Sequence, residues 1–303
     1  MKPSGSNAVV LAALAGNIAV AVTKFIAAAL TGSTAMLTEG VHSLVDTANQ
    51  VLLLVGQKRA VEPPSESHPF GYGMETYFWS FVVAVMIFLA GGAVSIWEGV
   101  RHVMTPAEID QPLINFAVLA LCALFEGLSF SKAYAEYRRI AAGSGVPLLQ
   151  FLSISKDPSL FGTLLEDGAA LLGLGVAALG IAGAAWAHSP WSDGAASIGI
   201  GLLLLCSAAF MANETRSLIA GEAAAPGVEK RIRAAAEGSL GPLRMRSLAT
   251  LQLGPGNILV VVTIEGTADA ALSTWARVAT DMRRACHAAD ARVSDIVFRA
   301  ADV

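Results

Sequence analysis

Charged residues are scarce in this chain of 303 residues. They make up 15% of it, whereas about a quarter of the residues of a soluble domain are charged. Hydrophobic residues account for 54%, and the mean hydropathy is +0.59. This balance excludes an ordinary soluble globular protein and indicates a chain that spans a membrane.

Cysteine and an excess of basic charge are also lacking. The three cysteines, Cys122, Cys206 and Cys286, are isolated, with no CxxC spacing. Two of them lie inside predicted spans, where a small buried side chain is favoured over metal or redox chemistry. The net charge of −4 gives no basis for binding nucleic acid. No catalytic motif stands out, and we expect no enzymatic activity.

The scarce charges are distributed unevenly along the chain. Residues 1–225 hold 10 Lys and Arg and 16 Asp and Glu, and the much shorter stretch 226–303 holds 10 and 8. We therefore predict a transmembrane domain over 1–213, a linker over 214–225 and a cytoplasmic domain over 226–303.

Six apolar runs approach the roughly 20 residues that a membrane-spanning helix needs. They cover residues 8–30, 33–56, 77–100, 112–135, 160–184 and 191–212. Basic residues concentrate on one side of these spans, which predicts that both termini are cytoplasmic. We expect the membrane to be a bacterial inner membrane. Arg101 opposes them on the other side, and the residues that set the orientation are Lys2, Lys58, Arg59, Arg138, Arg139, Lys156 and Arg216.

The last part of the chain predicts a small ferredoxin-like α+β domain of order α-β-β-α-β. A Gly-Pro-Gly-Asn turn at 254–257 separates two apolar runs, which is a hairpin signal. A free face or edge of the three-stranded sheet would suit dimerisation. The predicted elements are a helix at 228–238, strands at 243–253 and 258–265, a helix at 270–287 and a strand at 292–299.

The second span carries a polar face. Glu39, His42 and Asp46 are three and four residues apart, so they lie on one side of a helix. Ionisable groups are costly at membrane depth and should face the protein interior or a wet cavity. An imidazole and a carboxylate one turn apart form half of a divalent-metal site, which requires a second half elsewhere.

Other spans hold candidates for that second half. Glu126 lies in the fourth span, and the adjacent acids Glu166 and Asp167 follow a proline-led helix start in the fifth. Lys24 in the first span either extends to the membrane interface or pairs with an inward acid. Asp193 opens the sixth span and is expected to act there as an N-terminal cap or as a partner of the helix dipole.

Spacing alone leaves three functions open. The residues fit the passage of a metal ion, a proton- or sodium-linked carrier of an organic solute, or a protein with no transport role, such as a metal-binding sensor or scaffold. Carboxylates with one imidazole suit Zn²⁺ and related ions such as Fe²⁺, Co²⁺ and Mn²⁺. Cu(I) is disfavoured because no thiolate or methionine cluster converges on these residues.

Four stretches together resemble the cation diffusion facilitator family, and more narrowly the branch that includes zinc transporter 9. They are TEGVHSLVDTANQ at 38–50, HPFGYG at 68–73, FEGLSFSK at 125–132 and DPSLFGTLLEDGAALLG at 157–173. The similarity extends over nearly the whole chain, including the six spans and the C-terminal domain.

The resemblance implies a transport site that joins an HxxxD pair on the second span to a second pair on the fifth. His42 and Asp46 match the first pair and Asp167 matches the acid of the second, but Thr163 stands where the family has histidine. A further ligand must then complete the site. The candidates, with the first two preferred, are Glu166, Glu39, Glu126, Asn49 and a water molecule.

The family's auxiliary metal sites are depleted in this sequence. His68 matches one loop histidine, whereas Tyr72 stands where a second often lies, and His287 is the one histidine of the tail. The resemblance implies a homodimer in a lipid membrane that exports a divalent cation, most simply Zn²⁺, in exchange for protons by alternating access. No prosthetic group is implied. Mn²⁺, Fe²⁺ or Co²⁺ as substrate, and a proton-linked carrier of a non-metal solute, remain the alternatives.

Overall fold

The computed structural model describes residues 6–106, 111–142, 145–241, 243–265 and 272–300. Lys2, used above for orientation, and residues 270–271 of a predicted tail helix lie outside these ranges. The chain divides into two compact units. The first comprises the chain up to Val55 together with Trp79–Val146 and Ser159–Asn213, and the second comprises Gly56–Phe78, Pro147–Pro158 and the chain from Glu214 onward.

Every predicted span overlaps a long helix. A π-helical segment, Ile87–Ala93, joins α3 to α4 in one continuous helix, Glu75–Met104. The helices are α1 (Ser6–Thr31), α2 (Thr34–Ala60), α3 (Glu75–Met86), α4 (Val94–Met104), α5 (Pro112–Ile140), α6 (Leu148–Ile154), α7 (Pro158–Trp186) and α8 (Trp191–Gly221).

Length and composition qualify four of the described helices to cross a membrane: the continuous helix Glu75–Met104, α5, α7 and the helix that begins at Trp191. The apolar segment Gly16–Thr31 of α1 is shorter. The polar face of α2 explains why that helix is less apolar than its neighbours. The chain is therefore a multi-pass integral membrane protein with a small C-terminal sheet.

Local sequence sets the ends of these helices. Gly32 adopts a positive φ of 73° between α1 and α2, which glycine tolerates without strain, so two residues suffice to connect the helices. Pro112 and Pro158 occupy first helical positions, where the missing N–H costs nothing. The proline start predicted for the fifth span is confirmed.

Glycines bring α8 close to the continuous helix of α3 and α4. A Cβ on Gly99 would lie 2.7 Å from the Gly194 carbonyl oxygen, and a Cβ on Gly201 would lie 2.9 Å from the Gly92 carbonyl oxygen. Gly92 and Gly99 are seven residues apart on one helix, and Gly194 and Gly201 are seven residues apart on the other. This spacing is about two helical turns, so the contact follows one face of each helix. Small residues allow such backbone contact between membrane helices.

The tail of the second unit folds as α9 (Pro226–Glu237), β1 (Arg244–Gly254), β2 (Asn257–Glu265), α10 (Leu272–Ala289) and β3 (Val293–Ala300). The sheet order is β1-β2-β3, with β1 antiparallel and β3 parallel to β2. Ile232 of α9 and Met282 of α10 pack with Val260 and Val262 of β2 in one apolar core. The five elements follow the order that the sequence predicted.

The second unit also contains the segments before α3 and α7. The Tyr77 hydroxyl donates to the Lys156 carbonyl oxygen at 3.2 Å, and the Lys156 ammonium pairs with the Glu222 carboxylate. The Gln252 N–H of β1 donates to the Glu222 carbonyl oxygen at 2.9 Å. These bonds fix the starts of two long helices against the first strand of the tail.

Candidate metal centre

The polar face of α2 is buried. Glu39 and Asn49 are 0% exposed and His42 is 2% exposed, whereas the Asp46 side chain is 18% exposed. The His42 Nδ1 atom lies 3.5 Å from Asp46 Oδ1, one helical turn away. Helical spacing thus produces the buried imidazole–carboxylate pair that the sequence predicted.

Many donor and acceptor atoms on this face have no hydrogen-bond partner among the described residues. Leaving such an atom unpaired in the interior costs about 1–3 kcal/mol. The atoms on α2 are Thr38 Oγ1, Glu39 Oε1, both ring nitrogens of His42, Asp46 Oδ1 and both amide atoms of Asn49. Because these buried atoms lack hydrogen-bond partners, this face of α2 is suited to bind a ligand that interacts with them.

Carboxylates on two other helices approach Asp46. Glu166 and Asp167 of α7 and Glu126 of α5 are all within electrostatic range of it. Glu166 Oε1 and Asp167 Oδ2 are buried without a partner among the described residues, and Asp167 also interacts with the Ser129 hydroxyl. Like charges collected in the interior favour the binding of a cation.

These groups are neighbours, but they are not gathered around one point. Across the described ranges, no three His, Cys, Asp or Glu side chains converge at the spacing of a bound metal ion. The structure brings His42 and Asp46 to 3.5 Å, and Glu166, Asp167 and Glu126 interact with Asp46 electrostatically. Thr163 turns its hydroxyl to its own helix and donates to the Ser159 carbonyl oxygen at 2.8 Å.

Lys24 of α1 adds a buried positive charge beside this face. Its ammonium donates to Glu39 Oε2 at 3.0 Å and to Ser43 Oγ at 2.8 Å, and both Lys24 and Glu39 are 0% exposed. Of the two roles left open by the sequence, pairing with an inward acid is therefore correct. Hydropathy could not identify the acid, because the partner is 15 residues away on another helix.

Of the two roles expected of Asp193, the position of a dipole partner in the first turn of α8 is confirmed, and the role of cap for that helix is wrong. Asp193 does not cap its own helix: its carboxylate accepts hydrogen bonds from the Ser33 hydroxyl at 2.7 Å, the Thr34 N–H at 2.6 Å and the Ala35 N–H at 3.2 Å. The residue is inside the first turn of α8 and caps α2 instead. Its oxygens satisfy two of the N–H groups at the start of α2 that have no partner within that helix.

His68 belongs to the second unit and is exposed. Its ring stacks on Tyr72 with centroids 4.2 Å apart, and Nδ1 is 3.0 Å from the Ser67 hydroxyl. These contacts are those of a histidine that stabilises its own loop.

Sequence comparison identifies relatives of this chain. A model of the cation efflux transmembrane domain matches residues 10–220. The human proton-coupled zinc antiporter SLC30A9, a mitochondrial protein, is 32% identical over 254 residues. This match covers 84% of the present chain and 45% of the human protein, so the chain spans about half the length of that relative.

Two further relatives come from a plant and a bacterium. Metal tolerance protein C4 of Arabidopsis thaliana is 32% identical over 188 residues, which cover 62% of this chain and 41% of that protein. The magnetosome protein MamM of Magnetospirillum gryphiswaldense is 28% identical over 250 residues, which cover 79% and 72%. The similarity therefore extends beyond the membrane helices into the tail.

Proposed function

The chain belongs to the cation efflux family, a family of transporters and not of enzymes, and we propose that it exports Zn²⁺ from the cytoplasm in exchange for protons. The observation that carries this proposal is the buried His42–Asp46 pair, whose ring nitrogens and Oδ1 atom have no hydrogen-bond partner among the described residues. The name of the human relative, a proton-coupled zinc antiporter, supports the choice of ion.

We assign the ligands to His42 and Asp46 of α2 and to Asp167 and Glu166 of α7. The unpartnered Glu166 Oε1 and Asp167 Oδ2 atoms support the two on α7. Because these side chains are not gathered around one point, rotation of the α7 carboxylates toward Asp46 is part of ion binding. Glu126 lies within range of Asp46 and Asp167 and is suited to relay protons. Glu39 is engaged by Lys24 and is left out of this set.

Competition between protons and metal gives the exchange a physical basis. Imidazole and carboxylate ligands must be deprotonated to bind a divalent ion, so metal binding releases protons and protonation releases metal. His42 is the side chain whose ordinary titration range lies nearest neutrality, which suits it to carry protons back after the ion has left. In alternating access, metal binding with proton release then occurs on one side of the membrane, and protonation with metal release occurs on the other.

We also propose that the chain crosses the membrane six times, with α1 and α2 added to the four helices that qualify by length and composition. Both termini are cytoplasmic, the membrane is the inner membrane of a bacterium, and the C-terminal domain of 226–303 supports a homodimer. Lipid is the remaining partner. Zinc is the substrate that the imidazole favours, and Mn²⁺, Fe²⁺ and Co²⁺ are the ions to test against it.

The test is flux into proteoliposomes loaded with a zinc-sensitive dye under an imposed pH gradient. We expect wild-type flux to follow the gradient, and His42→Ala and Asp46→Ala to abolish it while the protein elutes from size exclusion as wild type does. His188→Asn is a matched control, since it removes an exposed histidine whose φ of 50° asparagine tolerates.

Each outcome separates one alternative. Flux of Mn²⁺ or Fe²⁺ without zinc flux would replace the substrate but keep the site. Zinc binding without flux of any ion would indicate a sensor or scaffold. Zinc flux that moves no protons at any pH would remove the antiport step. Near-normal flux in Asp46→Ala would remove this pair from the pathway.

A further inference from the structure

The buried Lys24–Glu39 ion pair has no role in the proposed transport cycle. Both side chains are 0% exposed, and the Lys24 ammonium also bonds to Ser43, the neighbour of His42. A lysine ammonium in a membrane segment is costly and is retained where it performs a function. The pair therefore calls for an explanation beyond the packing of α1 against α2.

Glu39 stands at the edge of the candidate metal centre. It lies three residues before His42 on the same face of α2. Its Oε1 atom has no partner among the described residues, and a Cβ on Gly173 of α7 would lie 2.8 Å from it. Glu39 thus sits between the two helices that hold the proposed ligands, with one oxygen bound by Lys24 and the other unpaired.

We propose that Lys24 determines ion specificity by withholding the Glu39 carboxylate from the transported ion. This inference rests on the proposed function. With Glu39 engaged, the ion meets an imidazole and three carboxylates, a small set that suits Zn²⁺. With Glu39 released, a fourth carboxylate joins the set, and an oxygen-rich site with more ligands suits Mn²⁺ better.

A purely structural role makes a different prediction. If the pair only joined α1 to α2, removing Lys24 would leave an uncompensated buried charge on Glu39 and destabilise the protein. The relative affinity for two ions would not change, because neither residue would act on the ion. The ratio of Mn²⁺ to Zn²⁺ affinity therefore separates the two roles, whereas total flux does not.

The experiment measures this ratio on purified full-length protein by competition with a metal-sensitive dye. We compare wild type with Lys24→Met, Glu39→Gln and the double variant Lys24→Met/Glu39→Gln. In Lys24→Met we expect the ratio to move toward Mn²⁺ by about tenfold or more, as a released carboxylate joins the site. Adding Glu39→Gln should return the ratio to within about threefold of wild type, since the extra ligand is gone.

Glu39→Gln keeps the test decisive if Lys24→Met does not fold. With Lys24 present, this substitution should change the ratio by less than about threefold; a tenfold loss of zinc preference would make Glu39 a ligand and overturn the inference. The double variant removes both charges and is expected to fold. A tenfold shift of its ratio would also overturn the inference, since the effect would not run through Glu39.

The outcome is independent of the test of transport. Wild-type protein that binds zinc through His42, with a ratio that ignores Lys24, would refute the role of Lys24 and leave the transport proposal intact. Protein that neither binds nor moves zinc would refute the proposed function. A ratio that shifts in Lys24→Met and returns in the double variant supports the specificity role even where flux is lost.

Discussion

The Asp193 carboxylate at the start of α8 accepts a hydrogen bond of 2.6 Å from the backbone N–H of Thr34 at the start of α2. The two residues are 159 positions apart; Asp193 is buried and Thr34 is half-buried. Asp193 therefore supplies the cap of the helix that carries His42 and Asp46, and the negative charge faces the positive end of that helix.

Asp193→Ala should destabilise the protein by about 2–4 kcal/mol, because it removes a helix cap and leaves buried donors unpaired. The donors are the Ser33 and Thr34 hydroxyls and two backbone N–H groups. Thermal unfolding of the full chain in detergent measures the loss. Asp193→Asn is the control: it keeps an acceptor oxygen and should recover part of the stability. Equal losses in both variants would show that the hydrogen bonds are not what matters.

Asp193 also shows where sequence reasoning reached its limit. A short acid at a helix start predicts capping, and capping is what the structure contains. The helix that receives the cap depends on which helix ends meet in space, and no local pattern reports that. The same limit applied to Lys24, whose partner Glu39 lies on another helix.

The helices and the hairpin could be predicted from the sequence because the patterns that indicate them are local. Apolar runs near 20 residues predicted the long helices, and the Gly-Pro-Gly-Asn turn predicted the β1–β2 hairpin. Helical periodicity placed His42 and Asp46 together, since both lie on one helix. The electrostatic interaction of Glu166 and Asp167 with Asp46 links α7 to α2. The residues alone offered these acids as candidates for a second half-site, but which helices meet came only from the resemblance to a family.

Thr163→His should tighten zinc binding by about tenfold, because it adds an imidazole one turn before Asp167 and restores a second HxxxD pair. Thr163 is half-buried and its hydroxyl bonds to its own helix, so the position can be exchanged without breaking a contact between helices. Dye competition on purified protein measures the affinity. Thr163→Val separates loss of the hydroxyl from gain of the ring. An unchanged affinity in Thr163→His would mean that this position faces away from the ion.

Gly73→Ala should loosen the segment before α3 from the tail sheet. A Cβ at this position would lie 2.5 Å from the Leu253 carbonyl oxygen, and backbone atoms cannot rotate away as a side chain can. Overpacking of this kind costs about 1–3 kcal/mol. Hydrogen exchange of the β1–β2 hairpin in the full chain should rise.

Gly256→Ala is the matched control in the same hairpin. A Cβ there meets nothing within 4 Å, so we expect an effect within about 0.5 kcal/mol. An unaltered exchange rate in a folded Gly73→Ala variant would contradict this prediction and indicate that the hairpin shifts to accommodate the methyl group.

Asp290, between α10 and β3, should make the stability of the tail depend on pH. Hydrogen bonds from Arg292, at 2.9 and 2.8 Å, and from Arg231 at 2.9 Å lower the pKa of the Asp290 carboxyl from its ordinary value near 3.8 to about 2. Because the pKa of Asp290 is lower in the folded state than in the unfolded state, the ionised carboxylate stabilises the folded state at pH values above the unfolded-state pKa. The contribution is therefore complete above about pH 4 and is lost as the pH falls toward 2.

Asp290→Asn should cost about 1–2 kcal/mol at neutral pH, a figure reduced for the exposure of both arginines. The difference from wild type should nearly vanish by about pH 2, where the native carboxyl has also taken up a proton. Urea-dependent hydrogen exchange of peptides that cover β3 in the full chain measures it. Asp281→Asn removes an exposed pair with Arg284 at 3.6 Å and should have a smaller effect at every pH. An Asp290→Asn deficit that stays constant down to pH 2 would show that packing, and not the charge, holds this corner together.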